Sequence, residues 1–508
     1  MFSLVKSIAI NGLSGTIIDV EVDINFGMTC FTIVGLPDQG IQESKERIRS
    51  ALKSSYAKLP TTRITVNLAP ADIRKVGPSF DLPIAIGILL SDEVILDNKL
   101  IDGSIFLGEL ALDGKLRKVS GVLPATIGAR ENGFKRIFIP KENIKEASIV
   151  DGIDVIGIES LHDLIDILNS RKEYEIAPKI DLKSLKQDKL EKYDFSHVIG
   201  QEFAKRALMI SASGGHNIIM NGPPGSGKTM LAKALKTILP DLTLDESIEI
   251  SKIYSISGLL TTENPIIIER PFRTVHHTAS SISIIGGGRN AKPGEISLAH
   301  KGVLFFDEVL EFNKTVLEVL RQPLEDGNIT VNRVNSTFTY PAKFMFVGAM
   351  NPCPCGFLTD PKKQCICSAR DIEKYRSRLS GPLIDRIDIF IEVPKVETEK
   401  FGKDAPKGES SKEIKEKVEK AREMQLKRFN GTKITFNSEM GTKDIDKYCR
   451  LSDESENILK QAVASLDLSA RSYYKILKLS RTIADLEGSN DIKTTHILEA
   501  LGYRKKGS

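Results

Sequence analysis

Residues 216–235 read HNIIMNGPPGSGKTMLAKAL, and this stretch decides the fold of the central part of the chain. An apolar run leads into the pattern G-x-x-x-x-G-K-T, from Gly222 to Thr229, and a helix-forming sequence follows. A strand, a glycine-rich loop and a helix N-terminus in this order direct backbone N–H groups toward phosphates. Gly225 and Gly227 permit close approach of the backbone, and Lys228 can reach the β- and γ-phosphates. The alternative is a glycine-rich turn without a ligand, which explains the spacing less well.

We therefore predict a site for ATP and Mg²⁺, in which Thr229 and Asp307 ligate the metal. Asp307 and Glu308 end the apolar run GVLFFDE. A hydrophobic strand that delivers two acids to its end suits phosphoryl transfer, with Glu308 polarising the attacking water. Taken alone, such a pair also fits a strand end that meets a helix N-cap. The predicted nucleotide-binding residues are Gly222, Pro223, Pro224, Gly225, Ser226, Gly227, Lys228, Thr229 and Asp307.

Three further polar residues stand at positions suited to the same chemistry. Asn351 ends the apolar run KFMFVGAMN, where an amide can sense the γ-phosphate and align water; the alternative is a turn residue before Pro352. Arg386 lies in LIDRIDIFIEV, and Arg471 opens the helical pattern SARSYYKILKLSRTIADL. A guanidinium can stabilise a phosphoryl-transfer transition state, although an isolated arginine usually makes a structural ion pair. With Glu308, these three are the predicted catalytic residues.

The composition sets the wider class of the protein. At 508 residues the chain is long enough for about three domains. The formal net charge of +4 is too small to indicate a nucleic-acid partner by itself. We find no apolar run of about 18 residues and no signal-peptide pattern. We therefore expect a cytoplasmic protein without membrane segments.

The pattern along the chain separates α/β regions from a helical one. We expect an α/β domain over 1–170, a charge-rich linker over 171–193 and an α/β ATPase core over 194–394. A polar hinge over 395–411 then leads to a helical domain over 412–508. The predicted fold class is therefore α/β multidomain with a C-terminal helical lid.

The ordered set of motifs resembles an AAA+ ATPase, from VIGQE at 198–202 through the phosphate loop to the two arginines. Within that superfamily, FRTVHHTASSISIIGGGRNAKPGEISLAHKGVLFFDE and LRQPLEDGNITVNRVNSTFTYPAKFMFVGAMNPCPCG resemble the magnesium-chelatase-like group, and the ComM/YifB family in particular. The resemblance covers essentially the whole chain. It implies a homo-oligomeric ring, usually a hexamer, in which Arg386 acts as a finger on the neighbour's nucleotide and Arg471 is a sensor on the lid.

The resemblance also implies two elements at the pore or face of the ring. These are a glycine-rich insertion around 285–292 and a hairpin over 328–340. Arg289, Lys292 and Arg333 give the two elements positive charge for contact with DNA phosphates. The alternative for each is a solvated surface cation.

The function implied by the family resemblance is an ATP-driven motor on DNA, a branch-migration helicase in recombination or natural transformation (competence). Recombination proteins are then expected partners. The alternatives are the ATPase subunit of a magnesium chelatase and a protein remodeller of the MoxR kind. The chelatase subunit lacks the N-terminal domain that is present in this chain, which counts against the first alternative.

That N-terminal region resembles the proteolytic domain of Lon proteases, a ribosomal-protein-type α/β fold. The matching segments are RITVNLAPADIRKVGPSFDLPIAIGIL and FLGELALDGKLRKVSGVLPATIGAREN. Ser79 stands where the nucleophile would be, but Leu123 occupies the position of the lysine base, and Lys115 and Lys118 lie outside it. A serine without a base is a weak nucleophile. We therefore predict a domain for assembly or DNA binding, and no protease.

Four of the six cysteines lie in NPCPCGFLTDPKKQCIC, residues 351–367. Its two C-x-C pairs can close a tetrahedral zinc site, although C-x2-C is the more usual spacing. Free thiols or a redox pair are the alternatives. We predict that a structural zinc knuckle fixes the path between Asn351 and Arg386. The predicted zinc ligands are Cys353, Cys355, Cys365 and Cys367.

Overall fold

The structure is a computed structural model in which residues 1–96, 99–180, 193–288, 291–332, 337–396, 408–465 and 468–504 are described. The chain forms two compact units. The first contains the described parts of Met1–Lys186, Leu244–Ile268 and Arg289–Lys292. The second contains those of Gln187–Thr243, Glu269–Gly288 and Pro293–Ser508. Each unit has its own apolar core.

The first unit is an α/β structure built on two main sheets. Four strands in the order β1-β2-β4-β3 form a mixed sheet, because only β3 and β4 run parallel. Three parallel strands, β5-β8-β9, form the second sheet, and β6 pairs with β7. The strands are β1 (Phe2–Asn11), β2 (Ser14–Asn25), β3 (Cys30–Val34), β4 (Arg63–Ala69), β5 (Ser104–Phe106), β6 (Glu109–Leu110), β7 (Leu116–Arg117), β8 (Arg136–Pro140) and β9 (Asp154–Ile158).

The helices of the first unit pack on these sheets. The sequence of the helix Asp81–Ser91 is apolar on nearly every face, and the helix is accordingly buried in the core. The α-helices are Gln39–Ser54, Asp81–Ser91, Val122–Glu131, Ile144–Ala147, Leu161–Leu168 and Leu244–Ser257.

One of these helices comes from the range that the sequence assigns to the ATPase core, 194–394. Helix Leu244–Ser257 packs against helix Val122–Glu131, and Ser255 donates a hydrogen bond to the buried carboxylate of Glu146. Desolvation raises the pKa of Glu146. The spatial unit therefore differs from the predicted boundary, because this helix buries Ile250, Ile253 and polar residues such as Ser255 within the first unit.

The second unit is built on a parallel five-stranded sheet with the order β11-β14-β17-β10-β18. Each of its strands is followed by a loop at the same edge, since parallel strands share a direction. A separate antiparallel pair, β15 and β16, is the predicted hairpin. The strands are β10 (Ile218–Asn221), β11 (Phe272–Val275), β12 (Gly286–Gly287), β13 (Lys292–Pro293), β14 (Val303–Phe306), β15 (Asn328–Asn332), β16 (Thr337–Pro341), β17 (Met345–Met350) and β18 (Ile389–Glu392).

Helices surround this sheet and continue into the predicted lid. Apolar residues of the lid, such as Val418 and Ile483, share one core with the sheet strand β10. The predicted multidomain α/β class with C-terminal helices is thereby confirmed. The α-helices are Glu202–Gly214, Lys228–Ile238, Ser281–Ile285, Glu295–Leu298, Lys314–Val319, Arg321–Asp326, Ala369–Arg376, Gly381–Ile384, Ser411–Arg428, Thr442–Tyr448, Asp453–Ser465, Ala470–Leu486 and Thr494–Gly502.

Several predicted features fall partly outside the described residues. Most of the predicted linker over 171–193 and of the hinge over 395–411 lies there. In the described parts of the chain, none of the helices combines the length and apolarity needed to span a membrane.

Candidate nucleotide site

The predicted phosphate loop connects β10 to the helix Lys228–Ile238. Gly225 and Gly227 have φ values of 77° and 89°, a left-handed backbone that glycine adopts without strain. Gly222 is needed for a different reason, because a Cβ there would lie 2.2 Å from the carbonyl oxygen of Val393. The loop therefore takes its shape from glycines at three positions, and the following helix presents its N-terminus beside it.

Lys228 is buried and points back along the loop. Its Nζ donates hydrogen bonds to the carbonyl oxygens of Gly222 at 2.6 Å and Pro223 at 3.0 Å. It also contacts Asn351 Oδ1 at 3.3 Å. Burial lowers the pKa of Lys228 to about 8, although the charges of Asp307 and Glu308 oppose the shift. The ammonium thus lies in a polar cradle that a phosphate can enter.

The carboxyl ends of β10, β14 and β17 bring the other predicted groups to the same edge. Thr229 Oγ1 donates to Asp307 Oδ2 at 2.9 Å. These two oxygen atoms are the hard donors that Mg²⁺ prefers, so the residues fit the metal. Glu308 follows in the left-handed region at φ 53°, with its side chain half exposed. A water or a phosphate can therefore approach the Glu308 carboxylate.

Sequence reasoning did not single out His277, which the structure places beside the acids. Its Nδ1 lies 3.9 Å from Glu308 Oε2, and its ring makes an edge contact with Phe312. His277 follows β11, the neighbour of β14 in the parallel sheet, so its position follows from the strand order. The signal in the sequence that could have indicated this position was the histidine pair at 276–277, directly after the segment that forms β11.

The cysteine-rich segment leads away from Asn351 and turns back onto the phosphate loop. Gly356 has φ 82°, and a Cβ there would lie 2.7 Å from the ring of Pro224. Cys353 Sγ lies 3.4 Å from Cys355 Sγ and 3.6 Å from Cys365 Sγ. The four sulfur atoms of the two pairs lie within 4.8 Å of one another, a spacing compatible with one tetrathiolate metal.

The two predicted arginines lie together at the other edge of the sheet. Arg386 precedes β18, and its carbonyl oxygen accepts a hydrogen bond from Asn217, which precedes β10. Arg386 and Arg471 both line a cavity of about 640 Å³ whose wall includes Asn217 and Asp388, at the amino ends of two strands. β10 has four residues and is about 13 Å long, so it separates this cavity from the phosphate loop.

The two arginines are joined by an acid that sequence reasoning missed. Glu325 forms ion pairs with Arg386 and with Arg471, the latter at 3.1 Å. Arg386 therefore makes the structural ion pair that the sequence left open as the alternative to a catalytic role. No local pattern in the sequence marks Glu325, because its partners come from distant segments.

The predicted DNA contacts are only partly described. Lys292 is an exposed residue of β13. Arg289 and Arg333 lie outside the described residues. The hairpin strands β15 and β16 are described on both sides of Arg333.

In the first unit, the structure shows the surroundings of the residues that align with the Ser–Lys pair of Lon proteases. Ser79 is half-buried, and its carbonyl oxygen accepts a hydrogen bond from the backbone of Gly108. Leu123 is fully buried in the first turn of helix Val122–Glu131. Lys118 donates to the carbonyl oxygen of Leu260, and Lys115 pairs with Asp113 at 3.5 Å.

The parallel sheet, the phosphate loop, the acids after β14 and the helical lid define a magnesium-chelatase-like AAA+ protein. Sequence models of that group cover the chain in three parts. "Magnesium chelatase, subunit ChlI" matches 194–401, "Subunit ChlI of Mg-chelatase" matches 20–143, and "Magnesium chelatase, subunit ChlI C-terminal" matches 408–504.

Individual relatives narrow the assignment. The chain is 43% identical to the competence protein ComM of Haemophilus influenzae, over 99% of this chain and 97% of the relative. It is 39% identical to YifB of Escherichia coli, over 99% and 97% of the two chains. The chain is 26% identical to the 38 kDa magnesium-chelatase subunit of Rhodobacter capsulatus, over 32% of this chain and 50% of that subunit. The chain belongs to the ComM/YifB family of magnesium-chelatase-like AAA+ ATPases.

Proposed function

We propose that this chain hydrolyses ATP at the carboxyl edge of the five-stranded sheet and uses the energy to move along DNA. The observation that carries the hydrolytic part is the convergence of Lys228, the Thr229–Asp307 pair and Asn351 at one edge, with Glu308 beside them. Lysine, hydroxyl, carboxylate and amide are together the groups that phosphoryl transfer from a metal-bound triphosphate requires.

Each residue has a distinct role in this proposal. Lys228 and the backbone N–H groups of the loop bind the β- and γ-phosphates. Thr229 and Asp307 hold Mg²⁺, which when bound neutralises charge on the phosphates. Glu308 accepts a hydrogen bond from the attacking water and polarises it. Asn351, already in contact with Lys228, aligns that water with the γ-phosphate.

Two variants test the hydrolytic site. We expect Lys228→Ala to lose ATP binding, and Glu308→Gln to bind ATP normally but to lower turnover by at least about a hundredfold, since it removes the base. Glu311→Gln is the matched control, because Glu311 lies in the same turn and pairs with Arg378 at 3.4 Å. Normal hydrolysis by the Glu308 variant would show that another group activates the water.

We further propose that Arg386 and Arg471 act on ATP held by a neighbouring copy. They lie at the amino edge of the sheet, across the strands from the phosphate loop of their own chain. Mixing Lys228→Ala chains with Arg386→Ala chains tests this arrangement, because some interfaces then combine an intact phosphate loop with an intact arginine. Recovery of ATP turnover in the mixture supports action between copies, whereas two inactive parents that stay inactive together contradict it.

DNA as the track is supported by the family and by the separate hairpin of β15 and β16, since the sequence between its strands contains the predicted cation Arg333. ComM is named a competence protein, which fits branch migration during recombination of incoming DNA. In this proposal the chain acts in the cytoplasm as a hexameric ring, with recombination proteins as partners. The assay is ATP turnover with and without forked or four-way DNA. Stimulation supports the motor. An unchanged rate favours remodelling of a protein partner, as in the magnesium-chelatase or MoxR alternatives.

We also propose that the four clustered cysteines bind a structural Zn²⁺. Backbone N–H groups of Phe357 and Ile366 lower the pKa of Cys355 to about 6, whereas desolvation and the neighbouring thiols raise the pKa of Cys365 and Cys367. Cys355 is therefore the first thiolate available to a metal. Elemental analysis of protein purified under reducing conditions should give one Zn²⁺ per chain. A double replacement, Cys353→Ser with Cys355→Ser, should abolish it. Metal-free wild-type protein would instead identify these groups as free thiols.

A further inference from the structure

Glu325 brings together two arginines that are far apart in the sequence. It lies in the short helix Arg321–Asp326, whereas Arg386 precedes β18 and Arg471 lies in helix Ala470–Leu486. One carboxylate oxygen of Glu325 contacts Arg386 Nη2. The other accepts a hydrogen bond from Arg471 Nη2 at 3.1 Å. One carboxylate therefore bridges two guanidinium groups.

The local electrostatics explain why the pair needs such a bridge. Arg386 is largely buried, with a side chain that is 12% exposed. Its burial, together with the charges of Arg471 and Arg321, lowers the pKa of Arg386, and the charge of Glu318 opposes the shift only in part. Arg321 has its own partner, Glu318, at 2.7 Å. Among these groups Glu325 supplies the negative charge that lies between the two guanidiniums and reduces their mutual repulsion.

One atom of this cluster points to an anionic ligand. Arg386 Nη1 donates to the carbonyl oxygen of Pro382 at 2.6 Å, and Nη2 contacts Glu325. The Nε atom is buried and has no hydrogen-bond partner among the described residues. An unpaired buried donor on a cation is costly. A phosphate oxygen in the adjoining cavity of about 640 Å³ is an acceptor that would satisfy it.

We infer that Glu325 is a positioning residue, which holds Arg386 and Arg471 close enough to engage one phosphoryl group of ATP bound to a neighbouring copy. This inference rests on the proposed action of the two arginines between copies. Without the carboxylate, the arginines separate, and the transition state loses the charge that both supply. The substrate site of the same chain is unaffected, because Glu325 lies at the opposite edge of the sheet.

The test is Glu325→Gln, which keeps the size of the side chain and removes its charge. We expect kcat for ATP to fall at least about tenfold, the loss of one charge-assisted contact, with KM changed less than about twofold. Glu325→Asp should recover part of kcat. Asp326→Asn is the matched control, because Asp326 is the next residue in the same helix and the replacement removes one carboxylate charge there too. It should retain wild-type turnover.

A double variant separates positioning from a general structural effect. Glu325→Gln combined with Arg471→Ala should turn over no more slowly than Arg471→Ala alone, because the carboxylate then has no pair to hold. Additive losses would overturn the inference, as would wild-type kcat in Glu325→Gln. Failure of the mixing experiment with Arg386→Ala would instead refute the proposed action between copies, so the two failures are distinguishable.

Discussion

The buried Lys228 makes ATP affinity depend on pH in a direction that the structure fixes. The pKa of Lys228 is lowered to about 8 by burial, and only the protonated amine attracts phosphate. Raising the pH through 8 in the free protein therefore removes the charge that binds ATP. For a pKa of 8, the apparent Kd grows by the factor 1 + 10^(pH − 8), which is about an eightfold increase between pH 7.5 and pH 9. This corresponds to about 1.2 kcal/mol of binding free energy.

The assay is equilibrium binding of a fluorescent, non-hydrolysable ATP analogue with Mg²⁺ to protein that retains Glu308, because the charge of Glu308 contributes to the pKa of Lys228. Lys228→Arg is the control, because a guanidinium stays charged over this range and should give a nearly flat profile whatever its absolute affinity. A flat profile in the Lys228 protein would refute the reasoning. An equal slope in the Lys228→Arg protein would assign the pH dependence to another group.

Two further predictions concern the phosphate loop and the C-terminal helices. Gly356→Ala should weaken ATP binding, because the new Cβ would overlap the Pro224 ring, 2.7 Å away. Gly431→Ala is the control, because Gly431 has a similar φ but lies in open space, and it should leave ATP binding unchanged. Titration with nucleotide compares the two variants. Asp485→Asn should lower the free energy of unfolding by about 3–5 kcal/mol, since Asp485 is the shared charge partner of the buried Arg481, at 3.0 Å, and of the largely buried Arg428, at 2.7 Å. Denaturant unfolding measures that loss, and an unchanged midpoint would show that the pair contributes nothing.

The placement of the phosphate-side residues could be predicted because it depends on local sequence and on one rule of topology. The loop is contiguous, so its glycines and Lys228 appear in a single motif. Asp307 and Asn351 follow separate apolar runs, and parallel strands bring such ends to one edge. The local motifs together with the parallel arrangement of the strands therefore predict that these groups lie near one another.

The contacts at the other edge could not be predicted by the same reasoning. Glu325 and Arg471 are 146 positions apart, and their contact depends on how the lid helices pack on the sheet. Helix Leu244–Ser257 raises the same difficulty, because a helical sequence does not indicate which surface will cover the helix. Its partner is helix Val122–Glu131 of the first unit. A pattern predicts that an element is amphipathic, whereas the identity of its neighbour is a property of the whole fold.

The two edges of the sheet constrain how copies can assemble if the arginines act between them. Each chain would offer its phosphate loop at the carboxyl edge and its Arg386–Arg471 pair at the amino edge. A two-fold dimer uses the same surface patch of both copies, so it would bring a loop to an arginine pair only if both groups lay on that one patch. A head-to-tail contact does so at every interface, and it closes into a ring when the rotation between neighbours allows. The positions of Lys228 and Glu325 on opposite edges thus favour a ring for the same reason that they favour action between copies.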